Sequence, residues 1–346
     1  MKAALGRLFG SLGLRAEAAA DPLSSVELRA GGSRVVILPA LGGKISEMEI
    51  AGRDWLWKSD TIPFRRPRDG ESYVETADSG GYDECFPTVG ACALPPEIER
   101  YAGLALPDHG ELWSQPAAVQ VETNGGPPSA TCEWQGRRMA YLFERRVTVE
   151  SDGAVRMRYR ATNAGSAPLP FIWSSHPLIA LTPETRIVLP EGAPVRVYAQ
   201  HHIDLFGVGA EHRWPRLRTK AGPELDASRP DEMAKRFACK LFLDMPEGRA
   251  AIRQGGAELA CAWNAREVPN FGLWLNKGGW WPFRGRSRYR NLAFEPCIGA
   301  PDTLGDALGD WQSAHWLAVG ETRSWELVWT GSADQGSRIA DRGVDA

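Results

Sequence analysis

Three short segments of the chain place side chains that can transfer protons among glycine, proline and aromatic residues. Residues 106–113 contain His109-Gly110, and residues 80–87 precede them with the run Gly-Gly-Tyr-Asp-Glu-Cys-Phe-Pro. An aromatic run over residues 171–177 ends in His176-Pro177, and residues 291–297 contain Glu295. Histidine and carboxylate side chains are the usual general acids and bases near neutral pH. Together the three segments form a candidate acid–base site.

The alternation of residue types predicts the direction in which Glu295 points. Leu292 and Phe294 share one face of a predicted strand, so Glu295 lies on the opposite face. A lone glutamate on a solvated sheet face is usually structural, and so is a lone histidine before proline. The combination of the three segments is what favours a functional site.

The rest of the chain reads as strands that must position these segments. Val155, Met157 and Tyr159 alternate with arginines, which is typical of a strand with one buried face. Asp152-Gly153, between residues 141–150 and 154–161, predicts a tight hairpin because such a turn requires positive φ. The other predicted strands cover residues 26–29, 34–38, 118–122, 170–175, 186–189, 195–199, 250–253, 258–263, 271–275, 292–295 and 322–329.

Strands dominate so strongly that the predicted fold class is all-β. Helical periodicity is weak and confined to the N-terminus and residues 231–237. So many strands cannot form one flat open sheet, which favours a large antiparallel β-sandwich. We expect one β-sandwich domain over residues 25–331, a flexible N-terminal tail over residues 1–24 and a C-terminal tail over residues 332–346.

Composition excludes several function classes. A formal net charge of -3 gives no electrostatic case for nucleic acid or an acidic membrane as the partner. The six cysteines are scattered without paired spacing, so we expect neither a metal site nor disulfides, and reduced thiols favour a cytoplasmic location. No apolar run approaches the roughly 18 residues of a membrane span. The first 20 residues faintly resemble a secretion signal, but Arg7 interrupts the apolar stretch.

Tryptophan is unusually abundant, with 14 residues against 7 tyrosines. An indole ring can pack on the C–H face of a pyranose while its N–H donates to a hydroxyl. Trp113, Trp173 and Trp274 lie beside the polar segments and are candidate sugar contacts. The alternative for each of them is packing in the core.

The order and spacing of the three segments resemble the aldose 1-epimerase (galactose mutarotase-like) family. Its pattern of two histidine segments and a late Glu-Pro is similar to His109-Gly110, His176-Pro177 and Glu295-Pro296. Residues 37–43, 52–56 and 162–165 support the resemblance, which extends from about Ser25 to Gly331. It implies a large antiparallel β-sandwich that binds a sugar across one concave sheet.

The resemblance also implies a reaction and the roles of three residues. Anomer exchange needs one base and one acid on opposite sides of C1, without metal or redox cofactor. Glu295 would be the base at O1, His176 the acid at the ring oxygen, and His109 a ligand of a neighbouring hydroxyl.

This chain departs from the family pattern in two places. The arginine that the family has before the first histidine is absent, and residues 82–87 are acidic instead. The family's additional carboxylate between the second histidine and the glutamate also has no counterpart. Residues 274–281 offer Asn276 and Lys277 as substrate contacts instead.

A row of arginines suggests the charge of the substrate. Residues 284, 286, 288 and 290 are all arginine, and in an extended chain they would project from one face near Lys277. Arg286 and Arg288 are therefore predicted to bind an anionic sugar, either a hexose phosphate or a uronate. The alternative is a solvated loop whose arginines pair with acidic residues.

Two other functions stay open for this sequence. A non-catalytic carbohydrate-binding or sensing protein would keep the tryptophans without needing His176 and Glu295 in working geometry. A polysaccharide lyase or hydrolase would share the sandwich, but hydrolases need two carboxylates and only one is evident here.

Overall fold

The computed structural model describes residues 24–68, 70–285 and 287–333. Within these ranges the chain is built almost entirely of strands, as the alternation of residue types predicts. The strands are β1 Val26–Ala30, β2 Ser33–Leu38, β3 Lys44–Ile50, β4 Arg53–Asp54, β5 Tyr82–Cys85, β6 Cys92–Ala93, β7 Ala105–Leu106, β8 Ala118–Glu122, β9 Ser129–Gln135, β10 Tyr141–Val149, β11 Val155–Asn163, β12 Leu169–Phe171, β13 Trp173–Ala180, β14 Arg186–Val188, β15 Pro194–His201, β16 Glu211–Arg213, β17 Arg216–Arg218, β18 Glu224–Asp226, β19 Phe237–Asp244, β20 Arg249–Gln254, β21 Ala257–Trp263, β22 Asn270–Lys277, β23 Arg290–Ile298, β24 His315–Leu317 and β25 Thr322–Ser332.

Two large antiparallel sheets account for most of these strands. Across the described residues, the larger sheet has the order β1-β2-β3-β5-β13-β23-β22-β19-β15-β16-β17-β18, with β4 paired to β3. The smaller sheet has the order β14-β20-β21-β25-β11-β10-β9-β8. The pairs β12-β24 and β6-β7 are short additions. The predicted all-β sandwich is confirmed.

The hairpin at Asp152-Gly153 forms as predicted. β10 pairs with β11 from Tyr141↔Asn163 to Val149↔Val155. Gly153 has φ 87, the left-handed conformation that the turn requires and that glycine adopts without strain.

Helices are short in the described part of the chain. α1 covers Tyr73–Thr76 and α2 covers Leu304–Leu308, where Thr303 caps the N-terminus by accepting from the Asp306 backbone at 3.0 Å. Single 3₁₀ turns occur at Pro39–Leu41, Glu99–Tyr101 and Pro230–Glu232. The helix predicted over residues 231–237 does not form: only a 3₁₀ turn is present, and β19 begins at Phe237. Among the described residues, no helix is long and apolar enough to cross a membrane.

The two sheets pack through their inner faces around one continuous core. Phe294 and Tyr82 of the larger sheet contact Trp329 of the smaller sheet, with ring centroids 5.9 and 6.0 Å apart. The core also contains a buried ion pair between Glu84 and Arg145, whose atoms lie 3.2 Å apart. Burial disfavours the Glu84 charge and raises its pKa to about 7, although Arg145 opposes this shift.

Most of the residues of the two predicted tails lie outside the described ranges. Residues 1–23 and 334–346 are not described, so the predictions for residues 1–24 and 332–346 stay predictions. All six cysteines are described, and each is a free thiol.

The outer face of the larger sheet carries the polar residues of the central strands. On β19, β22 and β23, Leu241, Leu273 and Phe294 belong to the core. Their neighbours in the alternation, such as Lys240, Trp274 and Glu295, point to the opposite side, which we call the site face. Glu295 therefore lies on the face of its strand opposite Leu292 and Phe294, as predicted.

Candidate functional site

A cavity of about 250 Å³ lies on the site face above β13, β19, β22 and β23. Its lining combines carboxylates, histidines, a lysine and aromatic rings. It is formed by Tyr73, Val74, Asp78, Val89, Gly90, Asp108, His109, His176, Leu178, His201, Lys240, Trp274, Trp280, Tyr289, Asn291 and Asp302.

The structure brings the two predicted histidines together at this cavity. His176 lies on β13, and its ring centroid is 4.9 Å from that of His109. His109 has φ 58 and stacks on Tyr73 of α1 at 3.7 Å. Gly110 follows because a Cβ there would lie 2.2 Å from the Phe86 carbonyl oxygen. The close backbone approach explains the His-Gly pair.

Neighbouring charges give the two histidines opposite protonation tendencies. Burial opposes the protonation of His109, but Asp108, with Oδ2 3.2 Å from Nδ1, outweighs it and raises the pKa of His109. Burial lowers the pKa of His176 well below its usual value, and the positive charges of His109 and Lys240 reinforce the shift. His176 is therefore neutral at pH 7, and His109 is the more readily protonated ring.

Glu295 lies beneath the cavity and does not line it. Both carboxylate oxygens accept from the Lys240 ammonium, at 2.7 and 2.6 Å. Ser174 Oγ donates to Oε2 at 3.1 Å, and His176 Nε2 lies 4.0 Å from Oε1. Gly272 on β22 leaves the space for this carboxylate, because a Cβ there would lie 2.9 Å from Oε2.

Lys240 is a site residue that the sequence analysis missed. Its Nζ lies between Glu295 and Asp302, 3.0 Å from Asp302 Oδ1, so one ammonium joins the buried carboxylate of Glu295 to the partly exposed carboxylate of Asp302. These carboxylates raise the pKa of Lys240 against the effect of burial. The available signal was a lysine in the otherwise apolar segment of residues 237–243, since a lysine inside a buried strand is rarely without a partner.

Asp78 is the second missed residue. Its Oδ1 is buried without a hydrogen-bond partner, and its side chain lines the cavity. Burial raises the pKa of Asp78 to about 6, while His109 and Lys44 partly oppose this. The Ser79-Gly80-Gly81 run beside Asp78 was noted in the sequence only as the approach to residues 82–87.

The acidic segment before the first histidine supports the cavity from below. Asp83 on β5 accepts from Tyr73 Oη at 2.7 Å and pairs with the Lys44 ammonium. These contacts hold α1, and hence the ring that stacks on His109. The arginine of the family pattern is thus replaced by an acidic network with its own lysine.

Aromatic rings form the other wall of the cavity. Trp274 lies 5.6 Å from His201 and 6.0 Å from Trp280, measured between ring centroids. All three rings are partly exposed and line the cavity, as does Tyr289. Of the three tryptophans predicted to contact sugar, Trp274 is the one at the cavity.

The other two predicted tryptophans lie away from the cavity. Trp113 packs against Tyr73 with ring centroids 5.3 Å apart, and its Nε1 donates to the Asp108 carbonyl at 2.9 Å. Trp173 lies in the core and donates to Glu84 at 2.9 Å. Both rings are buried, because their strands and turns point them towards the interior.

Asn276 and Lys277, also predicted as substrate contacts, are occupied by the protein itself. Asn276 Oδ1 accepts from the backbone of Gly279 and Trp280 at 3.1 and 3.2 Å, so it positions Trp280 rather than lining the cavity. Lys277 is buried and donates to the Asp231 carbonyl at 2.7 Å. The loop after β22 folds back over both side chains.

The predicted row of arginines is not continuous. Residues 282–285 form bends, and Gly285 has φ 103, so the extended alternation is broken. Arg288 is exposed, with Nη1 3.6 Å from Asp60. Arg286 lies outside the described residues. In the described part of the loop, the predicted basic face does not form.

We expect Asp78→Asn to change how stability depends on pH. The pKa of Asp78 is about 6 in the folded state and about 3.8 for an aspartate in the unfolded chain, so wild-type stability falls as pH rises between these values. Asparagine removes this fall, and the variant should gain roughly 2–3 kcal/mol over wild type at pH 7.5 and little at pH 4. Urea unfolding at both pH values checks this. A difference in stability that stays constant with pH would contradict it.

The fold is the large antiparallel β-sandwich of galactose mutarotase-like proteins, and a cluster of histidine, lysine and carboxylate side chains lies on the outer face of its larger sheet. Solved structures share this fold at low identity. A galactose mutarotase-like protein from Clostridium acetobutylicum is 12% identical with a TM-score of 0.62, covering 89% of this chain and 95% of that one. The galactose mutarotase related enzyme from Lactobacillus acidophilus is 14% identical with a TM-score of 0.60, covering 90% and 99%.

A protein from Escherichia coli K12 proposed to be an aldose 1-epimerase is 17% identical with a TM-score of 0.61, covering 90% of this chain and 99% of that one. No protein-family model matches the sequence, and no curated protein matches it significantly. The fold relationship suggested by the three sequence segments is confirmed by these structures.

Proposed function

We propose that the protein binds a neutral sugar in the cavity and interconverts its anomers by acid–base ring opening. The observation that carries this proposal is that His109 and His176, from distant segments, meet at one cavity on this fold and that Glu295 lies directly beneath it, 4.0 Å from His176. Asp78 Oδ1 and His176 Nδ1 are buried there without partners, and a sugar hydroxyl could satisfy each of them.

The proposed reaction moves two protons. A base takes the proton of the O1 hydroxyl, the C1–O5 bond breaks as C1=O1 forms, and an acid gives a proton to O5. Rotation about C1–C2 and closure by the reverse steps produce the other anomer. Glu295 is the proposed base. Because both of its carboxylate oxygens already accept from Lys240, the O1 hydroxyl would donate to an oxygen that also accepts from the ammonium.

The electrostatics favour His109 over His176 as the proton donor to O5. The sequence resemblance assigned that role to His176, but Asp108 raises the pKa of His109 while burial and nearby cations lower that of His176. In this assignment His176 positions the substrate and separates His109 from Glu295. Both histidines touch the cavity, so either can reach a bound sugar.

The lining favours a neutral sugar over an anionic one. Asp78, Asp108 and Asp302 contribute carboxylates to the cavity, and Lys240 is already shared between Glu295 and Asp302. Lys277 and Arg288, the described members of the predicted anion site, do not line the cavity. A hexose should therefore bind at least as tightly as its 6-phosphate at low salt, where an anion site would favour the phosphate.

A specific observation favours non-catalytic sugar binding as a second candidate function. Glu295 is fully engaged by Lys240 and Ser174, and burial holds His176 neutral. A protein that only binds or senses a sugar could keep this arrangement without turnover.

Polarimetry separates the two functions. Freshly dissolved α-anomers of glucose, galactose and mannose are mixed with purified protein, and the approach to the equilibrium rotation is followed against buffer. Faster equilibration for at least one sugar supports the enzyme. Binding of a sugar with no acceleration would leave only the binding protein.

The two histidines should differ in their effect on exchange. His109→Asn should lower the rate by about 10²–10⁴, the range for a lost general acid. His176→Asn should have a smaller effect and act mainly on KM, because its neutral ring positions the substrate. A larger loss of kcat in His176→Asn than in His109→Asn would return the acid role to His176.

Sugar binding should change the fluorescence of the cavity tryptophans. Trp274 and Trp280 line the cavity, whereas Trp173 lies in the core. We expect Trp274→Phe to reduce the sugar-induced signal and weaken binding, while Trp173→Phe, the control, keeps both. A signal that survives Trp274→Phe and Trp280→Phe together would place the sugar elsewhere.

A further inference from the structure

A second cavity, of about 500 Å³, lies on the site face next to the first. Its lining includes Arg196 of β15, Phe242 and Asp244 of β19, Asn270 of β22, and Trp311. Neither the three sequence segments nor the proposed acid–base chemistry uses any of these residues.

The two cavities follow one another along the same strands. On β19, Lys240 of the first cavity pairs with Trp274, and Phe242 of the second cavity follows two residues later. Asp244, two residues beyond Phe242, pairs with Asn270 and also lines the second cavity. Two strand residues advance by about 7 Å, a step comparable to one sugar unit. The Lys240 ammonium of the first cavity lies 5.2 Å from the ring centroid of Phe242, which lines the second cavity, so the two cavities are neighbours.

The second cavity has groups that suit hydroxyls. The Arg196 guanidinium lies over the Trp311 ring at 4.1 Å, which fixes its plane, and Arg196 Nε is buried without a hydrogen-bond partner. Across the cavity, Asn270 donates to Asp244 at 3.1 Å. Fixed planar donors and acceptors beside aromatic rings are the means by which proteins orient small polar ligands.

The charges of the second cavity argue for a neutral ligand. Two arginines, Arg196 and Arg213, are matched by two carboxylates, Glu211 and Asp244. An anionic ligand would be attracted by the arginines and repelled by the carboxylates. Neighbouring sugar hydroxyls can instead donate to the carboxylates and accept from the arginines.

We propose that the second cavity is a subsite for a second sugar unit, so that the ligand is a neutral disaccharide or longer glycan. This inference rests on the proposed binding of sugar in the first cavity, where the reducing-end unit would lie. The second unit would be held mainly by Arg196, Asp244 and Asn270.

Calorimetric titration of paired sugars tests the subsite. Glucose, galactose and mannose are compared with maltose, cellobiose, lactose and mannobiose on wild type, Arg196→Met and Trp311→Leu. Arg158→Met is the control, because Arg158 is an exposed arginine on the smaller sheet. Methionine keeps the length and apolar stem of arginine, and thermal melts check that each variant is folded.

We expect at least one disaccharide to bind about tenfold or more tightly than its component monosaccharides, as one added charge-assisted hydrogen bond allows. Arg196→Met should remove most of this gain, leaving monosaccharide affinity and the Arg158→Met control unchanged. Monosaccharide binding with no gain for any disaccharide, or a gain that survives Arg196→Met, overturns the subsite alone. Binding of no sugar of either length overturns both the subsite and the proposed function.

Discussion

Glu295→Gln should abolish most anomer exchange while the sandwich stays folded. The amide keeps the shape of the carboxylate and its hydrogen bond from Ser174, but it cannot accept the O1 proton. Losing a general base typically costs a factor of about 10²–10⁴. Polarimetry with the sugar that wild type converts fastest gives the rate, and circular dichroism reports the fold.

A matched control for this variant is Glu111→Gln. Glu111 is also a buried glutamate of the site segments, but it accepts from the Arg138 backbone at 2.9 Å and from Tyr141 at 3.1 Å, away from the cavity. Its loss should lower stability and leave exchange per folded molecule near wild type. Near-normal exchange in Glu295→Gln would remove Glu295 from the mechanism and favour the sugar-binding function.

Lys240→Met should cause the largest loss of stability of any single change in the site. It leaves the buried carboxylate of Glu295 and the partly exposed carboxylate of Asp302 without their shared cation, and breaking a buried pair such as Lys240–Glu295 typically costs about 3–5 kcal/mol. Urea unfolding at pH 7 measures the loss. The loss of stability should shrink as pH falls, because protonation removes the carboxylate charge that the ammonium no longer pairs.

The double variant Lys240→Met/Glu295→Gln tests the cause of that loss. Neutralising Glu295 removes the repulsion, so the double variant should be more stable than Lys240→Met alone. Equal stability of the two variants, or a Lys240→Met protein as stable as wild type, would show that the ammonium does not hold the carboxylates together.

Sequence patterns predict those parts of the fold that depend on local alternation. The β10–β11 hairpin and the outward direction of Glu295 follow from period two and from the glycine turn. β19 was not predicted because the segment of residues 237–243 is apolar on both faces, apart from Lys240, so it shows no alternation. With that strand unseen, its lysine could not be placed beside Glu295.

The site itself depends on contacts between distant segments, which no local pattern encodes. His109, His176 and Lys240 come together only after the sheet has formed, and the charges of His109 and Lys240 add to burial in keeping His176 neutral. The tryptophans show the same limit: Trp113 and Trp274 both flank polar residues in sequence, yet only Trp274 reaches the cavity. Closeness in sequence to the polar segments therefore indicated which segments form the site, but not which of their side chains line the cavity.

Positions 272 and 295 cannot evolve independently of each other. Any side chain at position 272 would collide with the carboxylate of Glu295 on the neighbouring strand. A homologue with alanine or a larger residue at position 272 would need a shorter side chain in place of Glu295, or a carboxylate from another position. A homologue without an acidic residue at position 295 would no longer need glycine at position 272. In an alignment of homologues these two columns should covary. An acidic residue at position 295 without glycine at position 272 would indicate that the backbone or the side chain has a different arrangement here.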